Sequence, residues 1–425
     1  MPPIRFIHAA DLHLDAAFSG LSRDIPADFA ERLRTATFTA FRRLLDLCER
    51  ESPDFLLLAG DVYNQEDASV SAQLALRDGF RRLESLSIPV FLVHGNHDPL
   101  ASRLRSVRWP GNVTVFGELP DAVPVFRKGE GTPLAITHGA SHASGRETRN
   151  LAALFRRTEA YGLHVGLLHA TPGDADGVAR YAPFSQEDLK ASGMDYWALG
   201  HIHDRREVCR EPLAAYPGCT QGLHINEPGE KGCLLVTAEA RPDGGYAVRT
   251  SFRPLGPAVW KTLDMDLGGA ASLDELENRL RTGLDRAAAE VWSGCEMLLV
   301  RLRLQGRTEL DGLLRKGTTC AELADRLRED GSGVPRIWIK DIDVATRPCV
   351  ERGALLERED LLGEVFRLSE AARTASGLQA LREGPLAPLF AHARAGKALE
   401  PLTDEELARL LDDAESLCLD LLEND

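Results

Sequence analysis

The stretch IPVFLVHGNHD, residues 88–98, places an apolar run directly before two histidines, an asparagine and an aspartate. An apolar run of this length, bounded by proline and glycine, predicts a buried strand. A buried strand seldom ends in so many groups that water solvates well, because burying them without partners is costly. The cluster therefore indicates a site at the carboxyl end of this strand.

Four other strand-like runs of the chain end in the same way, and helical patterns over 27–51 and 69–86 lie between the runs. This alternation predicts an α/β layered domain over residues 1–255. In open α/β sheets, ligands bind beyond the carboxyl ends of the strands, so we expect the five ends to meet. The four runs are RFIHAA (5–10) before Asp11 and His13, DFLLLAG (54–60) before Asp61, HVGLL (164–168) before His169, and YWALG (196–200) before His201 and His203.

The side chains at these ends form a set of metal donors. At any single end a turn residue is the simpler interpretation, because turns favour Asp and Asn, but five such ends together favour a metal site. Carboxylates, imidazoles and one carboxamide, without a thiolate, suit manganese, iron or zinc. The donors are too many for one tetrahedral zinc, so we expect two ions bridged by a carboxylate, and Asp61 is the natural bridge.

Two such ions perform phosphoryl chemistry without a protein nucleophile. They neutralise the phosphate oxygens, lower the pKa of a water molecule and stabilise both ends of an in-line displacement. The sequence contains neither a P-loop nor a G-x-S-x-G elbow that would indicate a competing chemistry.

These motifs resemble the ordered signature of the calcineurin-like metallophosphoesterases. Three longer stretches are similar to the bacterial SbcD/YhaO type of DNA repair exonuclease, and the resemblance covers about residues 4 to 255. It implies a layered sandwich of mixed sheets flanked by helices and a metal-dependent phosphoesterase activity. The motifs are DLH (11–13), GDVYN (60–64), GNHD (95–98), LLHAT (167–171) and GHIH (200–203), and the longer stretches are IHAADLHLD (7–15), YWALGHIH (196–203) and YPGCTQGLHINEPGEKGCLLV (216–236).

The resemblance also implies a role for each site residue. His97 would donate a proton or hydrogen bond to the leaving oxygen, and we expect Asp98 to orient His97. Both ions are expected to be manganese. The first would be held by Asp11, His13, Asp61 and His203, and the second by Asp61, Asn96, His169 and His201.

Asn64 departs from the pattern, because several nuclease relatives carry histidine or aspartate at this position. An asparagine cannot carry charge or shuttle a proton, so hydrolysis should survive while the strength and polarity of exonuclease action stay open. Asn64 is a candidate substrate contact, as are the arginines that follow two of the motifs. A solvated helix face is an equal interpretation for the arginines after GNHDP. The arginines are Arg205 and Arg206 after GHIHD, and Arg103, Arg105 and Arg108 after GNHDP.

The rest of the chain predicts two further regions. A small β-α-β-α-β cap of the α+β class is expected over 256–350, and a Leu-rich helical region over 351–425. The last 25 residues hold nine acids and one arginine of a chain whose formal net charge is −15. Their leucines recur at helical spacing, which predicts either packing on the protein's own helices or a partner-docking surface. The resemblance implies an SMC-type ATPase of the SbcC kind as that partner.

Three classes of function compete. The first is a two-metal phosphodiesterase that acts on DNA ends as a repair exonuclease or endonuclease. The second hydrolyses a small nucleotide or lipid-linked phosphodiester, and the third is a regulator without catalysis. The additional regions favour the first, since a small-molecule enzyme needs neither, and the complete donor set with His97 disfavours the third. DNA and the SbcC-like ATPase are the expected partners, and a homodimer is left open.

Composition sets the expected location. The eight scattered cysteines, without a C-x-x-C pair, predict reduced thiols. There is no apolar run of about 20 residues, as a membrane span requires, and no secretory signal pattern at the start. We expect a cytoplasmic, nucleoid-associated protein with no membrane association.

Overall fold

A computed structural model of the chain describes residues 2–21, 25–64, 69–102, 107–174, 179–242, 244–329, 333–349, 352–392 and 402–423. None of the helices described over these ranges is long and apolar enough to cross a membrane. The chain forms two compact units. One comprises Met1–Leu263, Leu284–Arg301 and Arg328–Lys340, and the other Asp264–Gly283, Leu302–Leu327 and Asp341–Asp425. Both units take part of the segment 256–350, and a division into three domains at 255 and 350 stays a prediction.

The first unit contains two six-stranded mixed sheets. Its strands are β1 (Ile4–Ala9), β2 (Phe55–Ala59), β3 (Val90–Val93), β4 (Val113–Val115), β5 (Asp121–Val125), β6 (Ala135–Ala140), β7 (Leu163–His169), β8 (Tyr196–Gly200), β9 (Arg206–Arg210), β10 (Leu213–Tyr216), β11 (Gly232–Ala240) and β12 (Tyr246–Pro254). The strand order is β12-β11-β1-β2-β3-β4 in one sheet and β5-β6-β7-β8-β10-β9 in the other. The strands β1 to β4 run parallel, as do β6, β7, β8 and β10. The five predicted strands are therefore present.

Helices cover the outer faces of both sheets. α1 (Ala27–Arg34) packs instead on Ala258, Trp260 and Met297. The covering helices are α2 (Ala36–Glu51) and α3 (Val70–Ser85) on one sheet, and a short 3₁₀ helix (Ala152–Leu154) and α4 (Gln186–Ala191) on the other. The sequence predicted one helix over 27–51, but the structure breaks it at Thr35. The Thr35 hydroxyl donates to the carbonyls of Glu31 and Arg32, an arrangement that competes with regular helix geometry.

The central strands are buried on both faces, which explains why they read as continuous apolar runs. In β2, Phe55 and Leu57 belong to the core between the sheets, whereas Leu56 and Leu58 belong to the core under α2 and α3. The ring of Phe55 stacks on that of Phe6 at 4.6 Å, and burying each ring contributes about 1.5–3 kcal/mol. The order helix, sheet, sheet, helix confirms the predicted layered sandwich.

The remaining elements match the predicted small unit and helical region. The strands are β13 (Ala258–Asp266), β14 (Met297–Thr308) and β15 (Arg336–Pro348), in the sheet order β13-β14-β15. Between them lie α5 (Leu273–Glu290), α6 (Asp311–Leu314) and α7 (Thr319–Glu329). The helical region contains α8 (Arg352–Leu356), α9 (Leu361–Ala372), α10 (Ala375–Glu383), α11 (Ala387–Ala391) and α12 (Asp404–Glu423).

The two sheets of the sandwich touch backbone to backbone at one edge. A Cβ atom added at Gly200, the last residue of β8, would lie 1.8 Å from the carbonyl oxygen of Ala59, the last residue of β2. Any side chain would push these strand ends apart. The glycine therefore lets the loops that follow β2 and β8 meet.

We predict that Gly200→Ala lowers the free energy of unfolding by about 3 kcal/mol, the upper end of the usual range for overpacking substitutions. The loss is large because the clash is with backbone that cannot rotate away. The measurement is urea denaturation in EDTA, which excludes effects on metal binding. Gly131→Ala is the control, since a Cβ at Gly131 meets nothing within 4 Å and should change stability by less than about 0.5 kcal/mol. Equal midpoints for the two variants would contradict the close approach.

Candidate metal centre

The predicted donor residues come together at one edge of the sandwich in two groups. The first group is Asp11, His13 and His203, and the second is Asp61, His169 and His201. Within each group, one ligand atom per residue lies within 4.8 Å of the others. The donors come from the loops after β1, β2 and β8 and from the last residue of β7.

In the second group, oxygen atoms of neighbouring side chains lie close to a ring nitrogen of His169. The Nδ1–H of His169 donates to the Ala59 carbonyl at 2.9 Å, so Nε2 carries the lone pair. That atom lies 3.2 Å from Asp61 Oδ2 and 3.1 Å from Asn96 Oδ1. Three acceptors at such distances repel one another unless positive charge lies between them.

The pKa values of His169 and Asp61 also indicate that this group favours positive charge. Burial opposes the charged imidazolium, but the Asp61 carboxylate outweighs it and raises the pKa of His169 to about 9. Burial also opposes the Asp61 carboxylate, yet His169 and His13 hold its pKa below the usual range. A divalent cation meets this demand more fully than one proton, because it also accepts the lone pairs of oxygen and nitrogen donors.

In the first group, His203 presents its Nε2 atom to the same edge. Its Nδ1–H donates to Glu227 Oε1 at 2.5 Å, which leaves the Nε2 lone pair 3.1 Å from His13 Nε2 and 3.8 Å from Asp11 Oδ1. The Nε2–H of His201 donates to the Ala179 carbonyl at 3.2 Å, which leaves Nδ1 free as a donor to a metal. These acceptors set the tautomers of the histidines.

Four of the candidate ligands hold strained backbone conformations. The φ angle is 51° at Asp11, 42° at His13, 47° at Asp61 and 103° at His201. Such angles cost about 1–3 kcal/mol each in residues other than glycine and persist where surrounding structure imposes them. Here the loops hold one another, because the Asp11 amide donates to Gly60 O, and the His13 amide donates to Asp61 O. Strain of this kind is concentrated at functional sites.

The glycine of the GNHD motif, Gly95, lies where there is no room for a side chain. A Cβ at Gly95 would lie 2.3 Å from Asp61 Oδ1 and 2.8 Å from the ring of His169. The glycine thus lets the loop after β3 pass close to both side chains, which brings Asn96 to its place beside His169.

His97 lies at the exposed rim of this centre. Its Nδ1 atom donates to the Asn64 carbonyl at 2.8 Å, and its amide donates to Asp61 Oδ1 at 2.9 Å. The ring meets that of His13 edge to face at 5.1 Å. The ring is therefore fixed through Nδ1, with Nε2 left for a substrate.

Asp98 has different partners from those that the sequence suggested. Its Oδ1 accepts from the Gly95 amide at 2.8 Å, and its Oδ2 accepts from the Val62 amide at 3.0 Å and lies 3.5 Å from His94 Nδ1. The buried carboxylate reaches back three residues, as Asp side chains do in turns. It therefore ties the loop after β3 to the loop after β2, and the Asn64 carbonyl orients His97.

Two residues near the centre were missed from the sequence. Glu227, only 7% exposed, holds His203 and accepts from the Leu223 amide at 2.7 Å. Tyr181 packs its ring against that of His201, with centroids 5.2 Å apart. Glu227 lies in the stretch 216–236 that carries part of the family resemblance, which was the available signal.

The predicted arginine contacts lie at several places. The guanidinium of Arg205 lies 4.0 Å above the ring of Phe252, and that of Arg206 lies 5.5 Å from the ring of Tyr216. Arg108 lies beside α3. Arg103 and Arg105 are outside the described residues.

Comparison of the sequence with known proteins identifies relatives that agree with a metal site at this position. Residues 4–205 match the calcineurin-like phosphoesterase family, and residues 260–347 match the middle domain of metallophosphoesterase YhaO. The chain is 34% identical over 388 residues to the "Uncharacterized metallophosphoesterase YhaO" of Bacillus subtilis strain 168, covering 90% of this chain and 91% of that protein. This chain belongs to the calcineurin-like metallophosphoesterases. It is a metal-dependent phosphoesterase, and the two donor groups fit the divalent ions on which this family depends.

DNA repair proteins also match. The chain is 28% identical to the DNA double-strand break repair protein Mre11 of Aeropyrum pernix, covering 68% of this chain and 69% of that protein. It is 23% identical to the Mre11 protein of Methanopyrus kandleri, covering 77% of this chain and 79% of that protein. The predicted resemblance to nuclease relatives is confirmed.

We predict that Glu227→Gln weakens metal binding about 10- to 100-fold, the range typical for the loss of a carboxylate behind a ligating histidine. The neutral amide no longer favours the Nδ1–H tautomer of His203 as strongly. Manganese titration of the metal-free protein by calorimetry is the measurement. Glu239→Gln, an exposed glutamate of β11, makes the same charge change and should leave the affinity unaltered. Identical affinities in both variants would contradict the role of Glu227.

Proposed function

We propose that this protein is a two-metal phosphodiesterase that acts on DNA ends, as an exonuclease or endonuclease of DNA repair. The observation that carries the proposal is the convergence of two donor groups at one strand-end edge. Two neighbouring divalent ions stabilise both the attacking and the leaving oxygen of a phosphodiester displacement. The Mre11 proteins, named for DNA double-strand break repair, direct the proposal towards DNA.

We assign the donors to two ions that share Asp61. Its carboxylate faces His169 on one side, and the His97 amide binds its other oxygen. Manganese is the proposed metal, because oxygen and imidazole donors suit it. Cys219 also lies near His203 and Glu227, but the proposed ligand set contains only oxygen and imidazole donors. The first ion would be held by Asp11, His13, Asp61 and His203, and the second by Asp61, Asn96, His169 and His201.

When bound, the two ions neutralise charge on the phosphate and lower the pKa of water. The protein's own contribution is proton transfer and positioning. His97 gives a proton from Nε2 to the leaving oxygen, since its Nδ1 is already engaged with Asn64. Asp98 is a positioning residue that acts through the two loops it joins. Asn64 is half-buried, its carbonyl accepts from His97, and its side chain is a candidate substrate contact.

The experiment is a hydrolysis assay with metal-free protein reloaded with manganese. The substrates are end-labelled duplex DNA, end-labelled single-stranded DNA and bis(p-nitrophenyl) phosphate. We expect metal-dependent shortening of DNA. Cleavage of the small diester with intact DNA would favour the second candidate, an enzyme for a small nucleotide or lipid-linked diester. Hydrolysis of neither substrate by protein that binds both ions would leave only a non-catalytic role.

Asp61→Asn and His97→Ala should separate metal binding from proton transfer. Asp61→Asn removes the shared charge, so metal and activity should be lost together. His97→Ala should keep two ions per chain and lose roughly 100- to 10,000-fold in turnover, the usual size of a general acid contribution. Metal content by mass spectrometry and single-turnover rates are the measurements. Full activity of His97→Ala would rule out the assignment.

We also propose that α12 docks an SMC-type ATPase of the SbcC kind. Its leucines fall on two faces, of which the inner one packs on α9 through Leu419, which shares a core cluster with Leu362 and Phe366. The outer face carries Leu410, Leu417 and Leu421, which are 45%, 59% and 64% exposed. An exposed apolar row flanked by acids suits a protein partner better than DNA. A homodimer and a cytoplasmic, nucleoid-associated location also remain proposals.

Leu417→Ser combined with Leu421→Ser tests the docking row. The variant should keep its thermal midpoint and bind the ATPase about tenfold more weakly, since a central apolar residue of an interface contributes more than about 1 kcal/mol. Leu154→Ser changes a leucine that is 49% exposed elsewhere and serves as the control. Co-purification at unaltered affinity would defeat the docking role. Deleting residues 401–425 is a poorer test, because it also uncovers Phe366 and Leu362.

A further inference from the structure

A groove lies at the open side of the sandwich, where β9 and β10 of one sheet face β11 and β12 of the other. Its volume is about 350 Å³. It begins at Arg205, two residues after His203, and two residues span at most about 7 Å. The groove is therefore next to the candidate metal centre. It is lined by Arg205, Arg206, Glu207, Ala215, Tyr216, Leu234, Thr250 and Phe252.

The two arginines of this groove carry charge that is available to an anion. Both are exposed, and neither pairs with a carboxylate in the part of the chain that the structure describes. Other arginines of the same unit are paired, such as Arg82 with Asp46 and Arg127 with Asp54. In a chain with a net charge of −15, two adjacent cations of this kind mark a place for phosphate oxygens.

Aromatic rings hold both guanidinium groups in place. Arg205 stacks on Phe252 of β12, and Arg206 lies over Tyr216 of β10. Arginine side chains normally lose much rotamer freedom when they bind a ligand. Because these two already pack against rings, less freedom is lost on binding.

We propose that this groove binds the phosphates of a single nucleic-acid strand beside the scissile phosphate. The proposal rests on the proposed function and names the strand that the site takes. A volume of about 350 Å³ is that of a small-ligand site, which suits one or two nucleotides and not a duplex. A positively charged groove that follows the phosphate backbone is one of the features by which proteins bind single strands. Glu207, which also lines the groove, repels phosphate and limits the affinity.

The test is binding of a fluorescent single-stranded 12-mer, followed by anisotropy with manganese present. All proteins carry His97→Ala so that the strand is not cut during the measurement. The double variant Arg205→Met, Arg206→Met should bind the strand about tenfold more weakly. The slope of the logarithm of the binding constant against the logarithm of the salt concentration should become shallower by about 0.7 for each lost phosphate contact. Glu207→Gln should act in the opposite direction and tighten binding. Arg42→Met, an exposed arginine of α2, is the control for a lost charge.

Methionine keeps an apolar cover over Phe252 and Tyr216, so the double variant should retain its thermal midpoint. If the arginines only cover the two rings, the double variant will bind the strand as tightly as the protein that keeps both arginines. That result would overturn the proposed strand-binding role of the groove without affecting the proposal of DNA cleavage. A loss confined to duplex DNA would also overturn that role, because the groove would then take a different ligand. If the His97→Ala protein binds no DNA and the protein with His97 intact cleaves only the small diester, the proposed function itself fails.

Discussion

Facing lone pairs at the strand-end edge are the constraint on which the rest of the structure depends. Asp61 Oδ2 and Asn96 Oδ1 each lie within 3.2 Å of His169 Nε2, and the Nε2 atoms of His13 and His203 lie 3.1 Å apart. Such an arrangement is unfavourable without positive charge. The fold nevertheless holds it, because His169 and His203 give their other ring N–H to acceptors that cannot move freely, the Ala59 carbonyl and the buried Glu227.

The sandwich supports this arrangement at a cost. Asp11, His13, Asp61 and His201 have positive φ angles, and Gly200 allows backbone contact between the sheets. The repulsion among the donors is relieved when cations bind, so metal binding and local folding are coupled. The strands β1, β2, β7 and β8 are buried on both faces. The free energy gained by this burial offsets the strain of the loops.

Around the buried centre lies a rim of exposed groups with different tasks. The candidate metal ligands are mostly buried, whereas His97 is exposed. Arg205 and Arg206 add cationic charge beside His203, within a chain that is acidic overall. The division follows from electrostatics, because buried charges must be paired, whereas exposed ones are available for a transient anionic ligand.

The amino-acid sequence by itself determined the five buried strands, their polar ends and the donor chemistry. Burial and strand period are local patterns, so β2 and β7 were predicted within one residue of their bounds. Tertiary structure alone decided the rest. Glu227 binds a histidine 24 residues away, Asp98 turns to Val62 and Gly95, and the leucines of α12 divide between two faces because α9 covers only one. Contacts between residues distant in the chain depend on how the elements pack, and they leave no periodic trace in the sequence.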